Sequence, residues 1–172
     1  MNQPNKSVSI EFPALPETLA AFTALPQAAM QTPFDTAAML VAALCAYPKN
    51  KDESIAMINW LKGPAPLSNR DISFIADRMA QNSKAGFLGA SYLNGATPQN
   101  DYAPAEPFAV VVSESLYSYD TEGCATLYIK SGGGDSPRAV TSRLAKDGKW
   151  YLWEYSSLLL DIRAPESTNP WA

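Results

Sequence analysis

Two periodicities divide this chain. Up to about residue 80, apolar positions mostly recur at helical spacing, and from Phe108 onward they alternate. Residues 7–12 are an early exception, with Val8, Ile10 and Phe12 on one side of a short strand. Glu17 to Leu25 is a predicted helix with Leu19, Phe22 and Leu25 inward, stopped by Pro26. The next begins at Thr32, which can cap, with Pro33 suited to the first helical position and Asp35 three residues after the cap. It runs to about Tyr47 and is apolar nearly all round, through Phe34, Ala37, Met39, Leu40, Val41, Leu44 and Cys45. A helix without a polar face belongs at the centre of a core. Pro48 ends it. Asn50 and Glu53 cap a further helix carrying Ile55, Ile58 and Leu61, which Gly63 and Pro64 stop. Ser68 and Asp71 open a last one, striped by Ile72, Ile75 and Met79.

Residues 81–107 break the pattern. They are rich in Asn, Gly, Ala, Pro and Gln, yet carry Phe87, Leu88, Tyr92, Leu93 and Tyr102. Such aromatics predict a packed loop, with room for a short strand, or a long surface crossover. Beyond it, strands are predicted at Phe108–Ser113, Cys124–Lys130, Val140–Ala145 and Trp150–Tyr155. Asp147 and Gly148 are the strongest hairpin signal. A two-residue turn there sets Lys146 opposite Lys149 and Leu144 opposite Tyr151. Val140, Leu144, Tyr151, Trp153 and Tyr155 then form the expected core face, and Arg143, Trp150, Leu152 and Glu154 the other.

Helices first and strands after predict an α+β fold, with N-terminal helices packed on a C-terminal antiparallel sheet. The expected organisation is a single domain over 1–172: a helical part at about 14–80, a long loop at 81–107, antiparallel strands at 108–163 and a tail at 164–172.

Composition narrows the chemistry. The 172 residues are 47% hydrophobic and 17% charged, which suits a sizeable core. The net charge is −4, the pI is near 4.8, and no basic run exists, so nucleic acid is not an expected partner. Two cysteines, Cys45 and Cys124, make no disulfide framework and fit a reducing compartment. The polar start, Met1 to Lys6, leads into no apolar run, and no membrane span is expected, so a cytoplasmic location follows. Histidine is absent, which removes Ser-His-Asp and Cys-His catalysis and imidazole metal sites. No catalytic residue, metal ligand set or cofactor motif is identified.

The remaining candidates are binding residues. Gly132 and Gly133 sit in a Gly-rich loop, Ser131 to Arg138, between predicted strands. Such a loop can bare backbone N–H groups to an anion, beside Arg138 and Arg143, or serve as a plain strand connection. It lacks the spacing of a phosphate-binding loop or dinucleotide fingerprint, and no helix follows it. Arg143 and Glu154 are expected as near-diagonal neighbours on the hairpin. Tyr117, Tyr119, Tyr128, Trp150 and Trp153 are candidates for a cavity or binding face. Asp101, Tyr102, Asp135, Arg138 and Trp171 are expected on a functional surface.

Four stretches together resemble a bacterial family of unknown function found mainly in Gram-positive gut bacteria. They are Thr32 to Ala38, Gly95 to Tyr102, Ser131 to Arg138 and Asn169 to Ala172. The resemblance runs from about residue 14 to the end. It implies a single intracellular bacterial domain and carries no activity or site residues. The strand from Gly148 to Leu152 is similar to strands of the NTF2-like α+β cone, an alternative architecture. The favoured reading is a non-catalytic binding domain whose partner is a protein. A pocket for a small anionic ligand, enzymatic or purely binding, is the alternative, and an immunity-type inhibitor with an acidic patch is a further one.

Overall fold

A computed structural model describes residues 5–171. Met1 to Pro4 of the polar start and Ala172 of the last family motif lie outside them. The described chain is α+β, with four helices on one face of a five-stranded antiparallel sheet. The helices are α1 (Leu19–Thr23), α2 (Pro33–Ala46), α3 (Lys51–Lys62) and α4 (Asn69–Ala80). The strands are β1 (Ser7–Phe12), β2 (Phe108–Ser113), β3 (Cys124–Ile129), β4 (Arg138–Leu144) and β5 (Trp150–Glu154). Their spatial order follows the sequence, β1-β2-β3-β4-β5. The whole helical half is thus an insertion between two paired strands, because β1 runs antiparallel to β2 with Ile10 opposite Val110.

The helix starts form as their caps dictate. Asp35 N–H donates to Thr32 Oγ1 at 3.2 Å, and Glu53 N–H donates to Asn50 Oδ1 at 3.2 Å. Ser68 and Asp71 make a reciprocal capping box. Each such cap is worth about 1 kcal/mol. The helix α2 is buried all round, from Phe34 through Leu44, with only Asp35 and Cys45 partly open. Its polar groups are satisfied by its neighbours: Thr36 Oγ1 donates to the Trp150 carbonyl at 2.6 Å. The Ala43 carbonyl accepts from Ser54 Oγ of α3 at 2.7 Å. The inner sheet face meets α2 through Ile10, Phe12, Val110, Val112, Leu127, Ile129, Val140 and Leu152.

The loop 81–107 is packed. It holds short 3-10 turns at Gln81–Gly86, Ala90–Tyr92 and Pro98–Asn100, and buries Leu88, Tyr92, Leu93 and Tyr102. The strand block ends earlier than expected, at Glu154 rather than 163. Ser156–Leu159 is a 3-10 turn that drops Leu158 and Leu159 into the core.

The β4–β5 register also differs from the two-residue-turn expectation. Ala145 N–H donates to the Lys149 carbonyl at 2.9 Å, so Lys146, Asp147 and Gly148 form a three-residue turn. Gly148 closes it at φ +85, the left-handed position this turn class requires. One extra turn residue moves the side chains of Trp150 to Trp153 to the opposite face, and a register shift at Thr141 and Ser142 returns Glu154 to its expected pairing with Thr141. Leu144 faces Trp150, Arg143 faces Tyr151 and Ser142 faces Leu152. Leu152 is therefore core and Trp153, expected inside, is exposed, while Leu144 keeps the face of buried Val140 and Ser142 but is exposed at the end of β4. Arg143 lies over the Trp153 ring, 4.8 Å from its centroid, instead of pairing with Glu154. The Glu154 carboxylate instead accepts from the N–H groups of Tyr155 and Ser156.

This register predicts opposite outcomes for adjacent residues. Leu152→Ala should destabilise the domain by about 2–5 kcal/mol, from lost burial and the cavity left behind. Trp153→Ala should lower stability by about 1 kcal/mol or less, the scale of an exposed cation–π contact. Chemical denaturation of the two variants checks the order.

Candidate functional site

The Gly-rich loop lies against the 81–107 loop, not against open solvent. Gly132 N–H donates to the Ser91 carbonyl at 2.8 Å, and Gly133 N–H donates to Ser131 Oγ at 3.1 Å. Gly134 N–H reaches the Ser131 carbonyl at 3.3 Å, and Ser131 Oγ donates in turn to Ser91 Oγ at 2.8 Å. The three glycine N–H groups that an anion would need are all engaged within the chain. Gly132 answers a different demand. A Cβ there would sit 1.9 Å from the Ala96 carbonyl oxygen, so two backbones meet where no side chain fits.

Arg138 points into the same region and holds the segment that follows β5. Its guanidinium donates to the Leu160 carbonyl at 2.7 Å, the Asp161 carbonyl at 2.5 Å and Tyr92 Oη at 3.2 Å. Tyr92 Oη donates onward to the Leu158 carbonyl at 2.7 Å. Burial pushes the Tyr92 phenol up to about 12, so it stays a donor at any physiological pH. Tyr102, stacked flat on Phe87 with ring centroids 5.3 Å apart, donates to the Arg163 carbonyl at 2.5 Å. The Arg163 N–H reaches the Gly133 carbonyl at 3.0 Å, and its guanidinium pairs with Asp135. Asp101 accepts from Ser167 N–H at 3.2 Å.

A buried charge completes this clasp. Lys84 is 1% exposed, and its ammonium donates to Asp161 Oδ1 at 2.7 Å. Asn82 donates to the other carboxylate oxygen at 3.0 Å. The Lys84 hydrogen bond holds the Asp161 carboxyl below the ordinary aspartate range.

A family model described as a domain of unknown function, DUF6935, matches residues 14–166. The chain belongs to this family. No curated protein and no solved structure matches the chain. The matched residues of the DUF6935 domain include the Gly-rich loop, the 81–107 loop and the clasped segment to Glu166, while β1 and Trp171 lie outside them.

Six of the candidate residues thus meet in one place in this DUF6935 chain. Asp101, Tyr102, Gly133, Asp135 and Arg138 bind or abut residues 160–167, and Gly132 adjoins them against Ser91 and Ala96 of the 81–107 loop. Arg143 and Trp171 do not join them. Arg143 is on the outer side of the β4–β5 hairpin, and Trp171 stands 92% exposed near the end of the chain. Cys45 offers no nucleophile, since burial pushes its thiol up to about 12. Among the described residues, no three of His, Cys, Asp and Glu are placed to hold a metal ion, and no helix is long and apolar enough to cross a membrane.

Sequence reasoning gave little weight to the β2–β3 loop. Leu116, Tyr117 and Tyr119 are 65%, 72% and 50% exposed, although the loop bearing them is well pinned. Ser118 is buried and its Oγ accepts from Ser115 N–H at 2.8 Å, while its carbonyl accepts from Thr126 N–H of β3 at 2.9 Å. Tyr119 Oη donates to Glu114 at 3.0 Å. The signal available was three large apolar side chains within four residues, next to the turn formers Asp120 to Gly123.

The clasp predicts a paired response. Asp161→Ala leaves the Lys84 ammonium without its partner and should cost about 1–3 kcal/mol. Lys84→Met in the same chain should recover most of that loss, because it removes the buried ammonium that Asp161→Ala leaves unpartnered. The carboxyl is held below its ordinary value of 3.8. Its contribution is therefore fully present above that value and lost as pH falls through the lower folded one. The stability gap between wild type and Asp161→Ala, measured by urea titration, should be largest at neutral pH and close in acid.

Proposed function

We propose that this domain is a non-catalytic binding module for a protein partner, with the β2–β3 loop as its anchor. The observation that carries the reading is the pinned loop presenting Leu116, Tyr117 and Tyr119 to solvent. Apolar side chains this close together in the open are rare on a surface with no partner. Tyrosine is enriched at the cores of protein interfaces because it supplies a large, amphipathic contact with few rotatable bonds. A loop already ordered by Ser118 loses less entropy on docking than a mobile one. The acidic character of the chain, net −4, favours a partner whose own surface is basic around its pocket. The clasp supports the same reading from the other side. Its arginine, tyrosine and glycine groups are engaged in holding the chain together, which leaves the loop as the better-placed surface.

Comparing immobilised wild-type domain with a Leu116→Ser/Tyr117→Ser/Tyr119→Ser variant of matched Tm tests this. Proteins retained from native lysate are quantified by mass spectrometry. At least one protein should be enriched on wild type and fall by about thirtyfold or more on the variant, the scale of losing hot-spot residues. Equal recovery of every retained protein on both would overturn the reading.

A further inference from the structure

We infer that the groove between the end of α3 and the β4–β5 hairpin is a binding site for a small aromatic carboxylate. The site is separate from the β2–β3 loop and does not rest on a protein partner. The groove encloses about 460 Å³, a volume suited to a small organic ligand. Its apolar walls come from Pro64, Ala65, Tyr151 and Trp153, and three cationic side chains line it: Lys62, Arg143 and Lys146. They arrive from three places: the last turn of α3, the end of β4 and the hairpin turn. In a chain of net charge −4 this is a local concentration of positive charge.

The cations are not neutralised at close range. Among the described residues, Lys62, Arg143 and Lys146 make no ion pair. The carboxylates nearby have other occupants. Asp147 accepts from Tyr151 Oη at 2.6 Å and from Lys149 N–H at 2.9 Å. Glu154 accepts from Tyr155 and Ser156 N–H, and Asp71 serves the Ser68 capping box. Lys62 also lies over the Tyr155 ring, 5.6 Å from its centroid. Arg143 rests over the Trp153 ring, 4.8 Å from its centroid, and its guanidinium carries a planar fork of N–H donors. A planar fork matches a carboxylate in bidentate fashion, and the apolar walls favour a flat apolar body behind it. The chemistry required of the ligand is therefore one carboxylate on an aromatic ring system.

Titration with 2-naphthoate tests the assignment, read by calorimetry and by the indole and amide resonances of Trp153 and Tyr151. The neutral analogue 2-naphthalenemethanol and inorganic phosphate serve as comparators. Naphthoate should bind and shift both residues, with Arg143→Gln weakening it tenfold or more. Lys51→Gln, on the far end of α3, should leave it unchanged. Lys51→Gln should keep the wild-type Tm, and Arg143→Gln should lower it by no more than Trp153→Ala does, since Arg143→Gln and Trp153→Ala remove the same exposed cation–π contact. No binding, or binding that Arg143→Gln leaves intact, overturns the proposal. Equal affinity for the neutral analogue removes the role of the cations, and equal affinity for phosphate removes the role of the aromatic walls. Either result also overturns it.

Discussion

A helix with no polar face imposes the main constraint on this domain. Nearly every side chain of α2 is apolar and buried, so the chain must cover it on all sides. The sheet covers one side, and α3 another. Phe22 of α1 and Ile75 and Met79 of α4 add to the core, and segments without regular strands or α-helices, the 81–107 loop and the stretch after β5, close the rest. Leu88, Tyr92, Leu93, Leu158 and Leu159 enter the core from these segments.

Irregular chain brings backbone groups into the interior without a ladder to satisfy them, and unpaired groups there are costly. The polar residues of the clasp meet that need. Arg138 and Tyr102 donate to carbonyls of Leu160, Asp161 and Arg163, and Ser91 and Ser131 receive the N–H groups of the Gly-rich loop. Lys84 reaches the edge of the same segment from beneath and holds Asp161. Residues of the kind that commonly bind ligands are here bound to their own chain. The side chains left facing outward are those of the β2–β3 loop and of the hairpin groove.

Features governed by neighbours in sequence were legible before the structure. Thr32, Asn50 and Ser68 cap helices because the N–H they accept lies three residues on, and the apolar run of α2 indicates its central position. The fold class follows from the change of period. The hairpin register was not legible, because whether Lys146 pairs or enters the turn changes no residue type, yet it turns over Trp150 to Trp153. The role of the Gly-rich loop was hidden for a related reason. It stands out in the sequence, but Gly132 finds its acceptor on the distant Ser91, and the carbonyls that Arg138 binds lie 22 and 23 residues away. The exposure of Tyr117 and Tyr119 was equally illegible, since aromatics beside strands serve cores and surfaces alike.

The claim that the conspicuous motifs are clasp before they are site is tested most directly by amide hydrogen exchange on Arg138→Ala. Removing the guanidinium frees the Leu160 and Asp161 carbonyls and loosens Tyr92. The account predicts faster exchange across residues 156–167 and in the 81–107 loop, with the β2–β3 loop and β1 unchanged. Wild-type protection across residues 156–167 in that variant would contradict it.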